Sequence, residues 1–170
     1  MPIDQCPHSF SHLASIVLPG YMAALKQNIR NPSLLSLFSI PGTGARSLLR
    51  QFGKESDFPG CYVLIEDDNP IYVGISRSVF SRLRQHVNGK THFDASLAYR
   101  IAATKAPHNQ NRGDAMKDPT FQRHFNAAKT YLSGLKVAYV EIFNPLELYL
   151  FEAYCAMELD TSAWNTFETH

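Results

Sequence analysis

Residues that could do chemistry stand close together in the stretch Ile71 to His86, "IYVGISRSVFSRLRQH". Tyr72 and Gly74 end a β-rich run that is typical of a strand. Arg82 and His86 follow four residues apart, a spacing that puts two side chains next to each other on a helix surface. A guanidinium can bind a phosphate with two hydrogen bonds, and an imidazole titrates near neutral pH. The pattern therefore predicts a site where this strand gives way to a helix.

A carboxylate is predicted inside the last helix. The segment "LELYLFEAYCAMEL" is apolar almost all round, which is typical of a buried helix, and it begins after Asn144-Pro145, a favourable helix start. Glu152 lies in its middle. An ionised carboxylate in such surroundings is costly unless it is paired or holds a cation, so Glu152 is a candidate metal ligand.

Each candidate also has an ordinary structural explanation. A strand tyrosine such as Tyr62 or Tyr72 is most often a core residue with its hydroxyl at the rim. Arg82 and His86 on a helix surface are usually only solvated. Asn165 in "SAWNTF" would by itself indicate loop structure. The chemical interpretation depends on these residues acting together.

The elements that must position these residues can be predicted from periodicity. Helical spacing runs from His8 to about Phe52, with breaks at Pro19-Gly20, Asn31-Pro32 and Pro41-Gly42. "CYVLIEDDNPIYVGI" predicts a β-hairpin, and "KVAYVEIF" predicts one later strand. The predicted fold is α+β: a small three-stranded antiparallel sheet flanked by helices. The predicted domains are a helical N-terminal extension at 1–55 and a second part at 56–170 with a helical insert at about 89–134.

The hairpin register decides whether both tyrosines can serve one site. Side chains alternate across a strand, so Tyr62 and Tyr72 face the same side only if Tyr62 pairs with an even-numbered residue. Gly74 is the expected partner. A glycine there would leave room for the Tyr62 ring and for close approach of a phosphate.

Composition excludes several classes of protein. The 170 residues contain no apolar run near the roughly 18 residues that a membrane span needs, and the N-terminus does not resemble a secretory signal. We expect a cytoplasmic protein.

The three cysteines are far apart and are expected to be reduced thiols. Cys6, His8 and His12 could form half of a metal site, but the sequence supplies no matching half.

Charge is distributed unevenly along the chain. Arg77 to Lys136 contains eleven Lys or Arg and three Asp or Glu, a net charge of +8. The remainder contains five against twelve, a net charge of −7. Such segregation can build a basic face for a polyanion, although solvated helix faces would give the same count.

Six elements in order resemble the GIY-YIG nuclease superfamily. "GCY" at 60–62 and "YVG" at 72–74 are similar to its two signature triplets, and Arg82, His86, Glu152 and Asn165 follow in the matching order. The resemblance runs from about Pro59 to Asn165. A histidine four residues after the arginine and the "WN" near the C-terminus look more like the homing and restriction branches than the excision-repair branch. Ile75 stands where some members carry a lysine, so a proton relay through that lysine is not expected.

The resemblance implies a divalent-metal-dependent endonuclease that hydrolyses phosphodiester bonds, most simply in double-stranded DNA. It implies one Mg²⁺, replaceable by Mn²⁺, held by Glu152, with Arg82 on the scissile phosphate. Asn165 would be an orienting group. Tyr62 is the favoured base or water-positioning residue, assisted by His86 and Tyr72, and His86 is the alternative base. The residues expected to contact phosphate are Gly74, Arg77 and Arg84.

Competing interpretations remain open at this point. In the first, the 77–136 segment and the N-terminal extension grip a DNA duplex for a nuclease of restriction or defence type, as a monomer or a homodimer. In the second, a non-catalytic nucleic-acid-binding module retains the nuclease fold. A small-molecule hydrolase or lyase is the third, but the chain has no cofactor fingerprint and no Ser/Cys-His nucleophile motif.

Overall fold

The computed structural model describes residues 2–167 and shows the predicted α+β class. The helices are α1 (Phe10–His12), α2 (Leu18–Ile29), α3 (Ala45–Gln51), α4 (Val79–Asn88), α5 (Ser96–Lys105), α6 (Arg112–Ala115), α7 (Pro119–Ser133) and α8 (Pro145–Glu158). The strands are β1 (Ser33–Leu34), β2 (Gly60–Glu66), β3 (Asn69–Ser76) and β4 (Lys136–Glu141). None of the helices between residues 2 and 167 is both long and apolar enough to cross a membrane.

The chain divides into two compact units. The sheet unit comprises Met1–Ser33, Asp57–Val79 and Lys136–His170, and the helical unit comprises Leu34–Ser56 and Phe80–Leu135. Each unit is therefore assembled from segments distant in sequence. These units are groups of residues that contact each other in space, and they do not test the predicted domains at 1–55 and 56–170. That division stays a prediction.

The sheet has four strands in the order β1-β4-β2-β3, not the three that we predicted. The additional strand, β1, is two residues long. So short a strand has no alternating apolar pattern, which is why periodicity could not reveal it. The predicted hairpin is confirmed: β2 and β3 pair antiparallel, and Asp67 and Asp68 between them both have positive φ, as a tight hairpin turn requires.

The core of the sheet unit lies on one face of the hairpin. Cys61, Val63 and Val73 point to this face and are fully buried. Helices α2 and α8 supply the opposing residues of the same cluster, each with apolar side chains three or four positions apart: Leu18, Met22, Leu25, Leu148, Phe151 and Cys155.

The helix before β1 is continuous where we predicted a break. A π-helical segment, Leu13–Val17, joins α1 to α2, and α2 passes through Pro19 and Gly20 without interruption. Proline has no N–H to donate, and a widened turn before it accommodates the missing hydrogen bond. The predicted break at Pro19-Gly20 is therefore wrong, whereas the chain does leave the helix before Asn31-Pro32 and turns at Pro41-Gly42.

The helical unit is held together by aromatic contacts and by backbone hydrogen bonds. The rings of Phe38, Phe52 and Phe80 pack with centroids 5.2 to 5.5 Å apart. The Leu35 N–H donates to the Leu135 carbonyl at 2.8 Å. Residues 34–56 thus share a core with residues 80–135, although a segment of the sheet unit separates them in sequence.

The most buried carboxylate of α8 is Glu147 and not Glu152. Glu147 lies in the first turn of α8, which Asn144 caps by accepting hydrogen bonds from the N–H groups of Leu146 and Glu147. The Tyr21 hydroxyl donates to Glu147 Oε2 at 2.7 Å, and the Cys6 thiol donates to Oε1 at 3.6 Å. This network ties α2 and the N-terminal residues to the start of α8, because a buried carboxylate is costly without such partners.

Replacing Tyr21 by Phe should lower the free energy of unfolding by about 2 kcal/mol, because the variant cannot form the hydrogen bond to a buried charged group. Urea unfolding followed by circular dichroism measures the change. Tyr149→Phe is the matched control, since Tyr149 is 71% exposed and should change stability by less than about 0.5 kcal/mol. Equal stability of the Tyr21 variant and the wild type would contradict this account of Glu147.

Candidate active site

Tyr62, Tyr72 and Gly74 share one face of the hairpin. Tyr62 pairs with Gly74 across the two strands, and Leu64 pairs with Tyr72. This confirms the register that both tyrosines need. Their ring centroids are 6.3 Å apart, and the face they occupy is the one opposite the core of the sheet unit.

Gly74 is required by the close approach of Tyr62. A Cβ atom built on Gly74 would lie 2.5 Å from Cζ of Tyr62 and would collide with its hydroxyl. Tyr62 is only 1% exposed, so its ring has little space into which it could move. The glycine therefore permits the tyrosine ring to lie directly above the strand.

Asn165 is attached to the outer edge of the sheet. Its side-chain oxygen accepts the Val73 N–H at 2.9 Å, and its side-chain nitrogen donates to the Val73 carbonyl at 2.8 Å. Since β3 is the last strand of the sheet, the amide continues its hydrogen-bonding ladder and fastens residues after α8 to the strand that carries Tyr72 and Gly74. This geometry favours an orienting role over direct contact with a phosphate.

Glu152 is half-buried, less than the fully buried position we expected. Loss of solvation raises the pKa of its carboxyl group above the ordinary value. Between residues 2 and 167 the carboxylate forms no hydrogen bond and no ion pair. Its neighbour Cys61 has its pKa raised by burial, by a hydrogen bond with Cys155 and by the charge of Glu152. A carboxylate that is partly desolvated and has no partner is stabilised by any cation that reaches it.

The donor set around Glu152 can be tested for the metal that the resemblance implies. No group of three or more His, Cys, Asp or Glu among the described residues could hold a metal ion by itself. A single desolvated carboxylate does fit Mg²⁺, which usually takes one or two carboxylates and completes its shell with water and substrate phosphate oxygens. The residues present are therefore compatible with Mg²⁺ or Mn²⁺ and not with a closed protein site of the zinc type.

Arg82 is held in a fixed orientation by the segment between α4 and α5. Its Nη1 donates to the Asp94 carbonyl at 2.7 Å and to Gln85 Oε1 at 3.1 Å, and its Nη2 donates to Ser96 Oγ at 2.8 Å. These contacts use three of the five donors of a guanidinium. Two donors remain for an anion.

His86 is completely buried, so its predicted position on the helix surface is wrong. It also differs from the group titrating near neutral pH that we expected. Burial, with a smaller contribution from the positive charge of Arg82, lowers its pKa from 6.5 to about 3. The imidazole is therefore neutral at pH 7. It can accept or donate a hydrogen bond, but it is a weak proton acceptor.

The remaining predicted phosphate contacts differ in their surroundings. Arg77 follows β3 directly and is exposed. Arg84 lies on α4 and lines an open cavity of about 600 Å³ in the helical unit, together with Lys90 and Asn88.

The candidate residues belong to both units. Tyr62, Tyr72 and Gly74 come together on one sheet face, with Asn165 at the edge of that sheet; Glu152 and Arg77 are in the same unit. Arg82, Arg84 and His86 belong to the helical unit. The roles that we assigned to them stay predictions.

Sequence reasoning missed the partners that orient Arg82 and those that satisfy Glu147. Asp94 and Ser96 lie 12 and 14 residues from Arg82, and Tyr21 lies 126 residues from Glu147. No local pattern signals such distant partners. For Glu147, the only available signal was its place in the first turn of an apolar helix.

The comparison with known families identifies the class of domain that carries this tyrosine face. Residues 58–155 match the protein family described as "GIY-YIG catalytic domain". Because the match covers more than half of the chain, the protein belongs to the GIY-YIG family, whose domains are generally endonucleases. Comparison with curated proteins and with solved structures gave no match.

Gly74→Ala should displace the Tyr62 ring and lower stability by about 1–3 kcal/mol, the usual effect of overpacking a tight contact. Any nuclease activity should fall with it, since the tyrosine loses its position. Urea unfolding and plasmid nicking measure the two effects. Gly20→Ala in α2 is the matched control, because nothing lies within 4 Å of its added Cβ and it should be neutral or stabilising. A Gly74→Ala protein as stable and active as Gly20→Ala would contradict the proposed contact.

The lowered pKa of His86 should make stability depend on pH. The folded protein keeps the imidazole neutral down to about pH 3, whereas the unfolded chain protonates it near 6.5. Between these values the unfolded state binds more protons, so this stabilisation is complete above 6.5 and is lost as pH falls. The measured quantity is the unfolding free energy of the wild type minus that of His86→Gln. It should change by up to about 1.4 kcal/mol per pH unit between about pH 6 and 4.

The control for this measurement is His12→Gln, because His12 is exposed and should leave the slope unchanged. Urea titrations at several pH values supply the data. If His86→Gln has the same pH slope as the wild type, His86 does not have the lowered pKa.

Proposed function

We propose that this protein is a divalent-metal-dependent endonuclease that hydrolyses phosphodiester bonds in DNA. The observation that carries the proposal is the β2–β3 register, in which Tyr62 lies over Gly74 on the same face as Tyr72 within the family-matched segment. A purely structural hairpin does not need a tyrosine ring packed over a glycine, with a second tyrosine on the same face.

Arg82 is proposed to bind the scissile phosphate. Its two remaining donors can form a fork toward the phosphate oxygens, and the hydrogen bonds to Asp94 and Ser96 hold the guanidinium still. A guanidinium that is already oriented loses less side-chain entropy when charge develops on the phosphoryl group.

Tyr62 is proposed to position and deprotonate the attacking water. A phenol has an ordinary pKa of about 10, so it needs cationic neighbours to act as a base near neutral pH. His86 is poorly matched to that role, because a base with a pKa of about 3 takes protons weakly at pH 7. A neutral His86 can instead act as a hydrogen-bond partner, with Tyr72 assisting Tyr62.

Glu152 is proposed to hold one Mg²⁺, with Mn²⁺ able to replace it. When bound, the ion would lower the pKa of coordinated water and offset the charge that develops on the phosphoryl oxygens. The raised pKa of Glu152 and its lack of a cationic partner among residues 2–167 support this assignment. Asn165 would keep the chain after α8 fixed to β3, and Gly74, Arg77 and Arg84 would contact phosphates.

The finer points of the proposal rest on the sequence resemblance. The histidine four residues after Arg82 and the "WN" at 164–165 support a homing or restriction type of enzyme. Double-stranded DNA as the substrate, a cytoplasmic location and a monomeric or homodimeric state are proposed together with it.

A second candidate is a nucleic-acid-binding module that has kept the fold without turnover. Two observations favour it: Arg82 uses three donors on its own chain, and His86 is a weak base. Metal-dependent cleavage separates the two candidates.

Incubation of supercoiled plasmid with the protein and Mg²⁺ or Mn²⁺ should produce nicked circles. Glu152→Gln should slow nicking by about 100-fold or more, because it removes the charged metal ligand while keeping the shape of the side chain. Arg82→Lys should slow it by about 10- to 100-fold, because lysine keeps the charge but cannot form the fork.

The control is Glu158→Gln, an exposed carboxylate on the same helix that should nick at the wild-type rate. Wild-type nicking by Glu152→Gln would rule out Glu152 as the metal ligand. Binding of DNA without any nicking by the wild-type protein would establish the second candidate.

A further inference from the structure

The exposed side of α3 carries a row of positive charges outside the family-matched segment. Arg46 and Arg50 are both exposed and four residues apart on α3, and Lys54, which is half-buried, follows three residues after the helix ends. All three line one open depression of about 360 Å³, which they share with Glu55. Residues 58–155 match the family, so this row is not part of the matched domain.

The row belongs to the unit in which the positive charge of the protein is concentrated. The helical unit contains twelve Lys or Arg and four Asp or Glu, a net charge of +8, and the sheet unit contains four against eleven, a net charge of −7. Three of the twelve cations come from residues 34–56. The charge is therefore segregated between folded units and not only along the sequence, which is the electrostatic footprint of a polyanion-binding module.

The two arginines of α3 are available for a partner. Within residues 2–167, the side chains of Arg46 and Arg50 form no hydrogen bond and no ion pair. Other cations of the helical unit are engaged by their own chain: Arg82 by Asp94 and Ser96, and Lys129 by the Gly89 carbonyl at 3.0 Å. An arginine without an internal partner can bind phosphate with its whole fork of donors.

The helix that carries the two arginines is buried on one side, and the approach to the other side is open. Leu48 and Leu49 on the opposite side of α3 are 1% and 7% exposed, so the helix is anchored in the core of the helical unit. The preceding turn contains Gly42 and Gly44, and nothing lies within 4 Å of a Cβ placed on either. A bare turn of this kind lets a nucleic-acid backbone approach closely. Two cations one helical turn apart, about 6 Å, span about two phosphates of one strand.

We propose that the α3 row, Arg46, Arg50 and Lys54, is a sequence-independent contact surface for the phosphate backbone of a DNA duplex, and that it contributes binding and not cleavage. The choice of DNA as the polyanion rests on the proposed function. The row supplies affinity by neutralising phosphates and releasing their counterions, and it does not read bases.

The test measures binding of a short fluorescent duplex by anisotropy in EDTA, so that cleavage plays no part, over a range of NaCl concentrations. Arg46→Gln/Arg50→Gln should weaken binding by about tenfold or more and reduce the slope of log K against log[NaCl] by about 1.8, or about 0.9 for each phosphate that the variant no longer neutralises. Arg46→Lys/Arg50→Lys should keep most of the slope, because the charges remain.

The matched control is Lys26→Gln/Arg30→Gln, which removes two exposed cations from the sheet unit and should leave affinity and slope within about twofold of the wild type. Circular dichroism checks that each variant is folded. An unchanged slope in Arg46→Gln/Arg50→Gln, or an equal weakening in the control, would overturn the proposal. So would α3-dependent binding to phosphatidylserine vesicles without α3-dependent binding to DNA.

Cleavage kinetics separate this inference from the proposed function. At saturating protein, Arg46→Gln/Arg50→Gln should nick plasmid at the wild-type maximal rate and require a higher protein concentration to reach half of it. If the wild type binds DNA through α3 but never cleaves, the nuclease proposal fails and the contact surface stands. If the wild type cleaves, and the α3 variant has the same maximal rate and the same half-saturating protein concentration, then only the contact-surface proposal fails.

Discussion

The candidate site depends on one pairing, Tyr62 of β2 opposite Gly74 of β3. A shift of one residue would turn one strand of the hairpin over relative to the other. Tyr72 and Gly74 would then face the core at α2 and α8, while Tyr62 stayed on the opposite side. The hydrophobic face and the tyrosine face are therefore fixed by the same constraint. Packing Cys61, Val63 and Val73 into the core is what holds the two rings on the opposite side.

The two glutamates of α8 show how position within a helix separates structural from functional roles. Glu147 is in the first turn, nearly inaccessible, and its oxygens accept from Tyr21 and Cys6. Glu152 is half-buried, desolvated and without such partners in the described part of the chain. The fold satisfies the first carboxylate and does not satisfy the second, which is the reason for proposing Glu152 as the metal ligand. Burial without a partner, more than burial alone, distinguishes a candidate site residue.

The helical unit gives Arg82 and His86 properties that helix spacing does not convey. The spacing places them next to each other on α4, as predicted. Hydrogen bonds to Asp94 and Ser96 then orient the guanidinium, and complete burial, with a smaller contribution from that charge, lowers the pKa of the imidazole. A histidine that is neutral over the whole physiological range is suited to orienting another group, which shifts the proposed proton transfer toward Tyr62.

The sequence by itself determined the α+β class, the hairpin and its register, the start of α8 and the order of the candidate residues, because each follows from local periodicity, turn chemistry or spacing. The tertiary structure alone decided the two-residue strand β1, the continuous helix through Pro19, the union of residues 34–56 with 80–135, the partners of Glu147 and the pKa of His86. These features depend on contacts between residues far apart in sequence and on burial, and neither leaves a local pattern that a reading of the chain could detect.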